Sequence, residues 1–357
     1  MSAAADRILY LSRREVEIAC REIDPVAAVK QALELHAHGE AVLPHEAYLG
    51  WRTAHGETAR SLSMPAYVGD GARVAGVKVI NANQANVGRG LPRASGLSLL
   101  FDPETGRPRA IMEAAHLSSL RSAAVTAIAA ELLATAGAER LALIGAGALG
   151  RAHLDLLARR LSNLREVRLC DLRVERAAAL AAELAPLLER RGIELRLHRS
   201  PRKAIAAAEI VVPVTTATSG YIGLDWLSPG ALLVNVSLDD PLPEVVIAAD
   251  KLIVDDWELV RADRRRLLGR MFRSGSLAGP DGAARTETSD PVLTDNGGKR
   301  RVDAELGEVL IGAREGRGRD DELIVVNPFG LAIEDICLAH HVLERAQGRG
   351  LGVPLER

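Results

Sequence analysis

The sequence predicts an α/β protein built around a doubly wound parallel sheet, and three observations carry that expectation. From Arg140 onward, short apolar runs alternate with Ala-rich helical stretches. A glycine-rich turn, Gly145-Ala146-Gly147-Ala148-Leu149-Gly150, stands at the first strand-to-helix junction of that region. The stretch before it, 60–112, has another rhythm: short β-like runs separated by turn residues, the pattern of an antiparallel sheet.

Along the chain, 14–38 reads as an amphipathic helix, with Val16, Ala19, Val26, Val29, Leu33 and Leu35 as its apolar positions and Pro25 marking a turn or kink. The β-like runs are Arg60–Met64, Val74–Ile80, Gly96–Phe101 and Ala110–Ala114, and a long helix follows over Leu117–Ala134. Strands are then expected at Leu141–Ile144, Val167–Cys170, Leu195–His198, Ile210–Val214, Leu232–Val236 and Leu252–Val254, with helices most evident at 151–161 and 173–191. Residues 273–300 are rich in Gly, Pro, Ser, Thr and Asp and read as an exposed, mobile loop. A strand at Glu322–Val326 and a last helix over Ile333–Gly348 complete the pattern.

The 357 residues suit about two domains. With 48% apolar and 26% charged residues the composition is that of a globular protein, and 3% aromatics leaves Leu, Val, Ile and Ala to build the core. A net charge of −2 gives no reason to expect a nucleic-acid or membrane partner. Cys20, Cys170 and Cys337 are odd in number and far apart, so neither a disulfide framework nor a zinc site is expected. His340 and His341 have no acidic or thiol ligands near them in sequence and are read as packing or surface residues. No N-terminal run is apolar enough for a signal peptide, and the Ala-rich stretch 123–150 is broken by Glu131, Glu139 and Arg140, so a cytoplasmic location is expected.

The glycine turn follows an apolar strand and opens a helix, the context that gives G-x-G-x-x-G its meaning as a dinucleotide site. Gly145 permits the tight turn, Gly147 lets a pyrophosphate approach the backbone, and Gly150 lets helix and strand pack closely. The N–H groups of the first helical turn, including those of Ala148 and Leu149, then face the phosphates. Asp171 ends the next strand, 26 residues past Gly145 and slightly beyond the usual spacing of about 20. An acid there accepts hydrogen bonds from a ribose diol and repels a 2′-phosphate. The expected cofactor is therefore NAD rather than NADP, although Arg173 lies close by.

The segments RSLSMPAYVG, GVKVINANQAN, GLSLLFDPETGRPRAIMEAAHLSSLRSAAVTAIAAELLA, the glycine motif, NVSLDDPLPE and VVNPFGLAIED resemble the ornithine cyclodeaminase/mu-crystallin family over nearly the whole chain. Within it, ILYLSRREVE, PRASG, DPETG, YIGLDWLSPGA, KLIVDDWE, DAELGEVL and GRDDELIVVNPFGLAIEDI, in that order, are most similar to the branch that forms 2,3-diaminopropionate. The resemblance implies a split architecture: 1–125 with 325–357 as a substrate-binding and dimerisation domain, and a Rossmann domain at 126–324 inserted between them. It also implies a homodimer and hydride transfer between nicotinamide and the α-carbon of an amino acid or its imine. For the branch, this is oxidative cleavage of N-(2-amino-2-carboxyethyl)-L-glutamate to 2,3-diaminopropionate and 2-oxoglutarate, in siderophore or other natural-product biosynthesis. A cyclodeaminase, a ketimine reductase, an amino-acid dehydrogenase and a non-catalytic crystallin-like protein are the alternatives within the family.

Such chemistry needs cations for carboxylates and a group that moves protons. Lys78 matches the family's substrate lysine; alternation on a strand turns it away from Val77 and Val79, so they are expected in the core and Lys78 at a cleft. Without the resemblance, an exposed strand lysine is the simpler reading. Arg121 lies in an otherwise apolar helix, where a substrate carboxylate or a structural acid such as Glu113 must pair it. The family usually has Thr-x-x-Arg-Thr here, and Ser118, Ser119 and Ser122 stand around the arginine instead. Arg60 is a further carboxylate candidate, and Arg93 or Arg89 suits a substrate with three carboxylates. NVSLDDPLPE carries the acid/base candidate, Asp240 by the branch pattern and Asp239 by the cyclodeaminase pattern. Thr215, Thr216, Val236 and Ser237, with Asn235 beside them, are expected at the cofactor, as are Asn327 and Gly330.

Overall fold

The computed structural model describes residues 7–282 and 300–356. They fall into two compact units: the described residues up to Arg121 together with those from Leu331 onward, and Ser122–Gly330.

The first unit opens with β1 (Arg7–Leu11), α1 (Arg13–Cys20) and α2 (Pro25–Ala37). The helix expected over 14–38 is thus two helices. The first ends at Cys20, and Asp24 caps the second, accepting hydrogen bonds from the Val26 and Ala27 N–H groups, with Pro25 preset for the first helical position. Strands β2 (Ala41–Val42), β3 (Ala47–Arg52), β4 (Thr58–Val68), β5 (Val74–Asn83), β6 (Ala94–Phe101) and β7 (Pro108–Glu113) follow. Then comes α3 (Ala115–Leu133), whose first turn is capped by the Glu113 carboxylate at the Ala115 and His116 N–H groups.

The second unit carries β8 (Arg140–Ile144), α4 (Ala148–Arg160), β9 (Glu166–Cys170), α5 (Val174–Arg191), β10 (Glu194–His198), α6 (Pro201–Ile205), β11 (Ile210–Pro213) and β12 (Leu232–Val234). It continues through α7 (Pro243–Ala248), β13 (Lys251–Val254), α8 (Trp257–Ala262), α9 (Leu267–Arg273), β14 (Leu277–Ala278), β15 (Arg300–Arg301), β16 (Ala304–Glu305), α10 (Leu306–Leu310) and β17 (Ile324–Asn327). Eight strands form one parallel sheet in the order β10-β9-β8-β11-β12-β17-β13-β16. The central strands are buried on both faces, which explains why Leu141–Ile144, Ile210–Val212 and Leu232–Val234 are unbroken apolar runs. The parallel sheet reaches Asn327, past the boundary expected at 324. The exposed loop expected from 273 is also corrected at its start. Leu277 and Ala278 are buried, and β14 pairs with β15; residues 283–299 lie outside the described ones.

The chain then returns to the first unit with α11 (Ala332–Gly348) and β18 (Val353–Glu356). The chain was expected to finish on the helix; instead β18 pairs antiparallel with β1. The mainly antiparallel sheet runs β18-β1-β7-β6-β5-β4-β2, with β3 also on β4; β1 and β7 are its parallel pair. Helix α11 packs against α2 and the β4–β5–β6 face. Its fully buried Ile333, Ile336, Leu338, Val342 and Leu343 each contribute roughly 1.5–3 kcal/mol from burial. The helix comes so close at Gly76 that a Cβ there would lie 2.7 Å from Ile336 Cδ1.

Candidate active site

In the first unit, register places Lys78 on β5 opposite Met64 of β4 and Ser98 of β6. The expected orientation is reversed. Val77 and Val79 are half-buried on the other face, whereas Lys78 is only 1% exposed beneath α11. Its Nζ lies 2.5 Å from Asp335 Oδ2 and 3.4 Å from Ser118 Oγ. The same Asp335 oxygen is 3.3 Å from Arg121 Nε, and Arg121 Nη1 is 3.1 Å from Glu334 Oε2. Two cations and two carboxylates therefore share one buried cluster of zero formal charge. Burial pushes the Lys78 ammonium below its ordinary value, and Asp335 opposes that shift. Glu113, the acid anticipated for Arg121, is spent on the α3 cap.

Arg60 and Arg93 are not brought to this cluster. They line a cavity of about 240 Å³ with Trp51, Asn81, Asn83, Asn86 and Ser95. It lies at the far end of β5, where Ala82 is about 13 Å along the strand from Lys78. Arg93 is half-buried with no acidic partner among the described residues, and burial pushes its guanidinium below the ordinary value. Arg89 is paired with Glu57 at 2.5 Å.

In the second unit, the glycine loop answers each geometric demand. Gly145 has φ +114°, and a Cβ on it would be 2.8 Å from Val214 O. A Cβ on Gly150 would be 2.0 Å from Gly145 O. A Cβ on Gly147 would meet nothing within 4 Å, so its surroundings leave room at the N-terminus of α4. Ala148 and Leu149 form the first turn there, with no acidic side chain to neutralise it. Asp171 receives the Ala146 N–H at 2.8 Å and the Arg173 N–H at 2.8 Å, which fixes its carboxylate against the loop. These residues fit a dinucleotide.

The ends of β11 and β12 are tied together. The Ser237 hydroxyl accepts the Thr215 N–H at 2.9 Å and donates to Pro213 O. Thr216 is exposed and Val236 half-buried, while buried Asn235 donates to Asn327 Oδ1 at 2.7 Å. Gly330 donates its N–H to buried Asp255, whose carboxyl is pushed up to about 6 by burial.

The adjacent aspartates have different environments. Asp239 Oδ2 is 2.8 Å from Arg266 Nη1, and its Oδ1 accepts the Leu267 N–H at 2.9 Å and faces Arg270 at 3.3 Å. Asp240 Oδ1 accepts from the Thr215 hydroxyl at 2.6 Å and from the Tyr221 phenol at 2.9 Å. Asp240 Oδ2 is buried with no hydrogen-bond partner among the described residues. Leu238, just before them, has φ 74°, a left-handed conformation strained for a side chain of that size.

Asp335, Glu334, Asp255, Tyr221, Arg266 and Arg270 are absent from the sequence-derived set. Only the first two left a signal, as adjacent acids opening an apolar helix. Among the described residues no group of His, Cys, Asp and Glu could hold a metal, and no helix is long and apolar enough to cross a membrane. His341 instead bonds Gln31, and His340 lies 3.6 Å from Glu344.

The chain is 33% identical over 352 residues to N-((2S)-2-amino-2-carboxyethyl)-L-glutamate dehydrogenase of Staphylococcus aureus (strain NCTC 8325 / PS 47), covering 98% of each. Among solved structures it is similar to CmnK, with TM-score 0.85, 36% identity and 98% of both chains covered. It is also similar to an archaeal alanine dehydrogenase dimer with bound NAD, with TM-score 0.79, 28% identity and coverage of 98% and 99%. Together with the glycine loop, these likenesses define an NAD-dependent oxidoreductase acting on CH–NH bonds. The chain belongs to the ornithine cyclodeaminase/mu-crystallin family, whose model matches residues 8–350.

Proposed function

We propose that the protein oxidises N-(2-amino-2-carboxyethyl)-L-glutamate at the glutamyl Cα–N bond, giving 2,3-diaminopropionate and 2-oxoglutarate for siderophore or other natural-product assembly. The observation that carries this reading is the end-to-end likeness to a dehydrogenase of that substrate. Arg93, in a polar cavity and with no acidic partner among the described residues, supports it, because a substrate with three carboxylates calls for cations beyond Lys78 and Arg121.

The residues proposed to hold NAD are Gly145, Gly147, Ala148, Leu149, Gly150 and Asp171, with Thr215, Thr216, Val236, Ser237, Asn327 and Gly330. When bound, NAD supplies the acceptor for the hydride that leaves the glutamyl Cα. Lys78 and Arg121 hold an α-carboxylate, and Arg60 and Arg93 a further one. Asp240 is the acid/base group: one of its oxygens has no hydrogen-bond partner among the described residues, whereas Asp239 is engaged at both by cations and a backbone N–H. As the hydride leaves, the secondary amine releases its N–H proton and becomes an imine; water adds to the imine carbon as Asp240 accepts one water proton and passes it to nitrogen; the adduct then collapses to the carbonyl, its hydroxyl proton going to nitrogen as the C–N bond breaks and the primary amine leaves.

The protein is also proposed to act as a homodimer. Leu49, Trp51 and Leu97 are exposed on the sheet face opposite Lys78, and the similar archaeal enzyme is a dimer. Purified protein with this substrate and NAD should give equal amounts of NADH and 2,3-diaminopropionate. Ammonia from ornithine or lysine without net NADH would instead mark a cyclodeaminase. NADH formation from alanine alone would mark an amino-acid dehydrogenase.

A further inference from the structure

The geometry points to Tyr221, assisted by Thr215, as a positioning residue that holds the Asp240 carboxylate with one oxygen engaged and the other presented for proton transfer. This rests on the acid/base reading of Asp240. Tyr221 grips the aspartate twice. Its phenol donates to Oδ1 at 2.9 Å, while the N–H groups of Tyr221 and Ile222 donate to the Asp240 carbonyl at 2.8 and 2.9 Å. A bridge between Ile222 and Pro241 continues the attachment, and Leu242 N–H returns to Ile222 O.

Thr215 donates to the same Oδ1 at 2.6 Å, and its oxygen accepts the Ala217 N–H at 3.0 Å, which orients the hydroxyl. Two hydroxyl donors thus converge on one carboxylate oxygen, and Oδ2 has no partner among the described residues. A buried carboxylate oxygen without a donor is costly. Burial beside Asp240 drives the Tyr221 phenol far above its ordinary value, so it remains a protonated donor. With Oδ1 held by these two hydroxyls, the carboxylate is fixed in orientation and Oδ2 is the oxygen left for proton transfer.

The test compares Tyr221→Phe, Thr215→Val and Asp240→Asn with the unaltered protein. The first readout needs no substrate: carbon-13 NMR of aspartate-labelled protein, with the Asp240 carboxyl assigned by its loss in D240N. In Y221F its resonance should move, because one of the two hydroxyl donors on Oδ1 is lost. The second readout is NADH formation from N-(2-amino-2-carboxyethyl)-L-glutamate. There kcat should fall about tenfold in Y221F while KM and the NAD Kd stay within about twofold. An unmoved Asp240 resonance in Y221F overturns the inference, as does a fall in NAD affinity and thermal midpoint with kcat unchanged. Full turnover in D240N overturns it together with the acid/base reading. If the unaltered protein gives no NADH, the substrate reading fails, and the carboxyl resonance still decides the role of Tyr221.

Discussion

Asp335 Oδ2 lies 2.5 Å from Lys78 Nζ although 257 residues separate the two in sequence, and both side chains are buried. A buried pair of this kind is costly to break from one side, because the surviving charge has no solvent. Asp335→Ala should destabilise the protein by about 3–5 kcal/mol, measured by urea unfolding. Lys78→Met combined with Asp335→Leu should recover much of that loss while abolishing substrate binding. If D335A unfolds at the wild-type urea midpoint, the pair has no structural weight.

The three glycines of the dinucleotide loop should separate cleanly. Gly150→Ala forces a Cβ to 2.0 Å from a backbone oxygen and should lower both thermal stability and NAD affinity. Gly147→Ala meets no protein atom, so its thermal midpoint should stay within about 2 °C while NAD affinity falls at least about tenfold. Calorimetric titration with NAD beside thermal melts reads both quantities.

Asp255 should give stability a pH dependence of unusual sign. Burial raises its carboxyl from 3.8 to about 6 in the folded protein. Between those values the folded state binds the proton more tightly than the unfolded chain, so this contribution is full below about 4 and is lost as pH rises through about 6. Asp255→Asn removes it. The difference in urea midpoint between wild type and D255N should shift steadily in favour of D255N from pH 4.5 to 7; a constant difference would refute this.

Leu238 holds a left-handed backbone immediately before the two aspartates. Leu238→Gly relieves about 1–2 kcal/mol of strain and returns part of it as added chain entropy, so net stability should change by less than about 1 kcal/mol. The freed loop should cost kcat more than KM. Steady-state kinetics beside a melt tests this, and an unchanged kcat would mean that the strain serves no catalytic purpose.

Arg93→Ala removes a cation that no acid among the described residues holds in place. It should raise KM for the tricarboxylate at least about tenfold, leave the thermal midpoint within about 2 °C, and leave NAD affinity unchanged. An unaltered KM would show that the cavity does not receive substrate.

Much of the fold was legible because local chemistry fixed it. Unbroken apolar runs marked the buried parallel strands, and the glycine turn marked its own junction through the φ of Gly145 and the closeness of Gly150 to Gly145. Residues 47–52 gave no strand signal, since every side chain of β3 is exposed and no alternation develops. The last strand was hidden for the same reason. At the candidate site, residue types were readable but partners were not. Lys78 and Asp335 meet only through tertiary packing, and nothing local distinguishes Asp239, engaged by Arg266 and Arg270, from Asp240, held by Tyr221 and Thr215.

The placement of β17 bears on how the molecule is made. This strand, nearly the last of the chain, lies between β12 and β13, which precede it by some 70 to 90 residues. A growing chain that has already emitted β8 to β13 still lacks the strand that joins β12 to β13, so the sheet cannot close until translation is almost finished. Slow, non-local closure follows from that order. So does an all-or-none response to shortening: a chain ending anywhere before Ile324 loses a central strand rather than a tail.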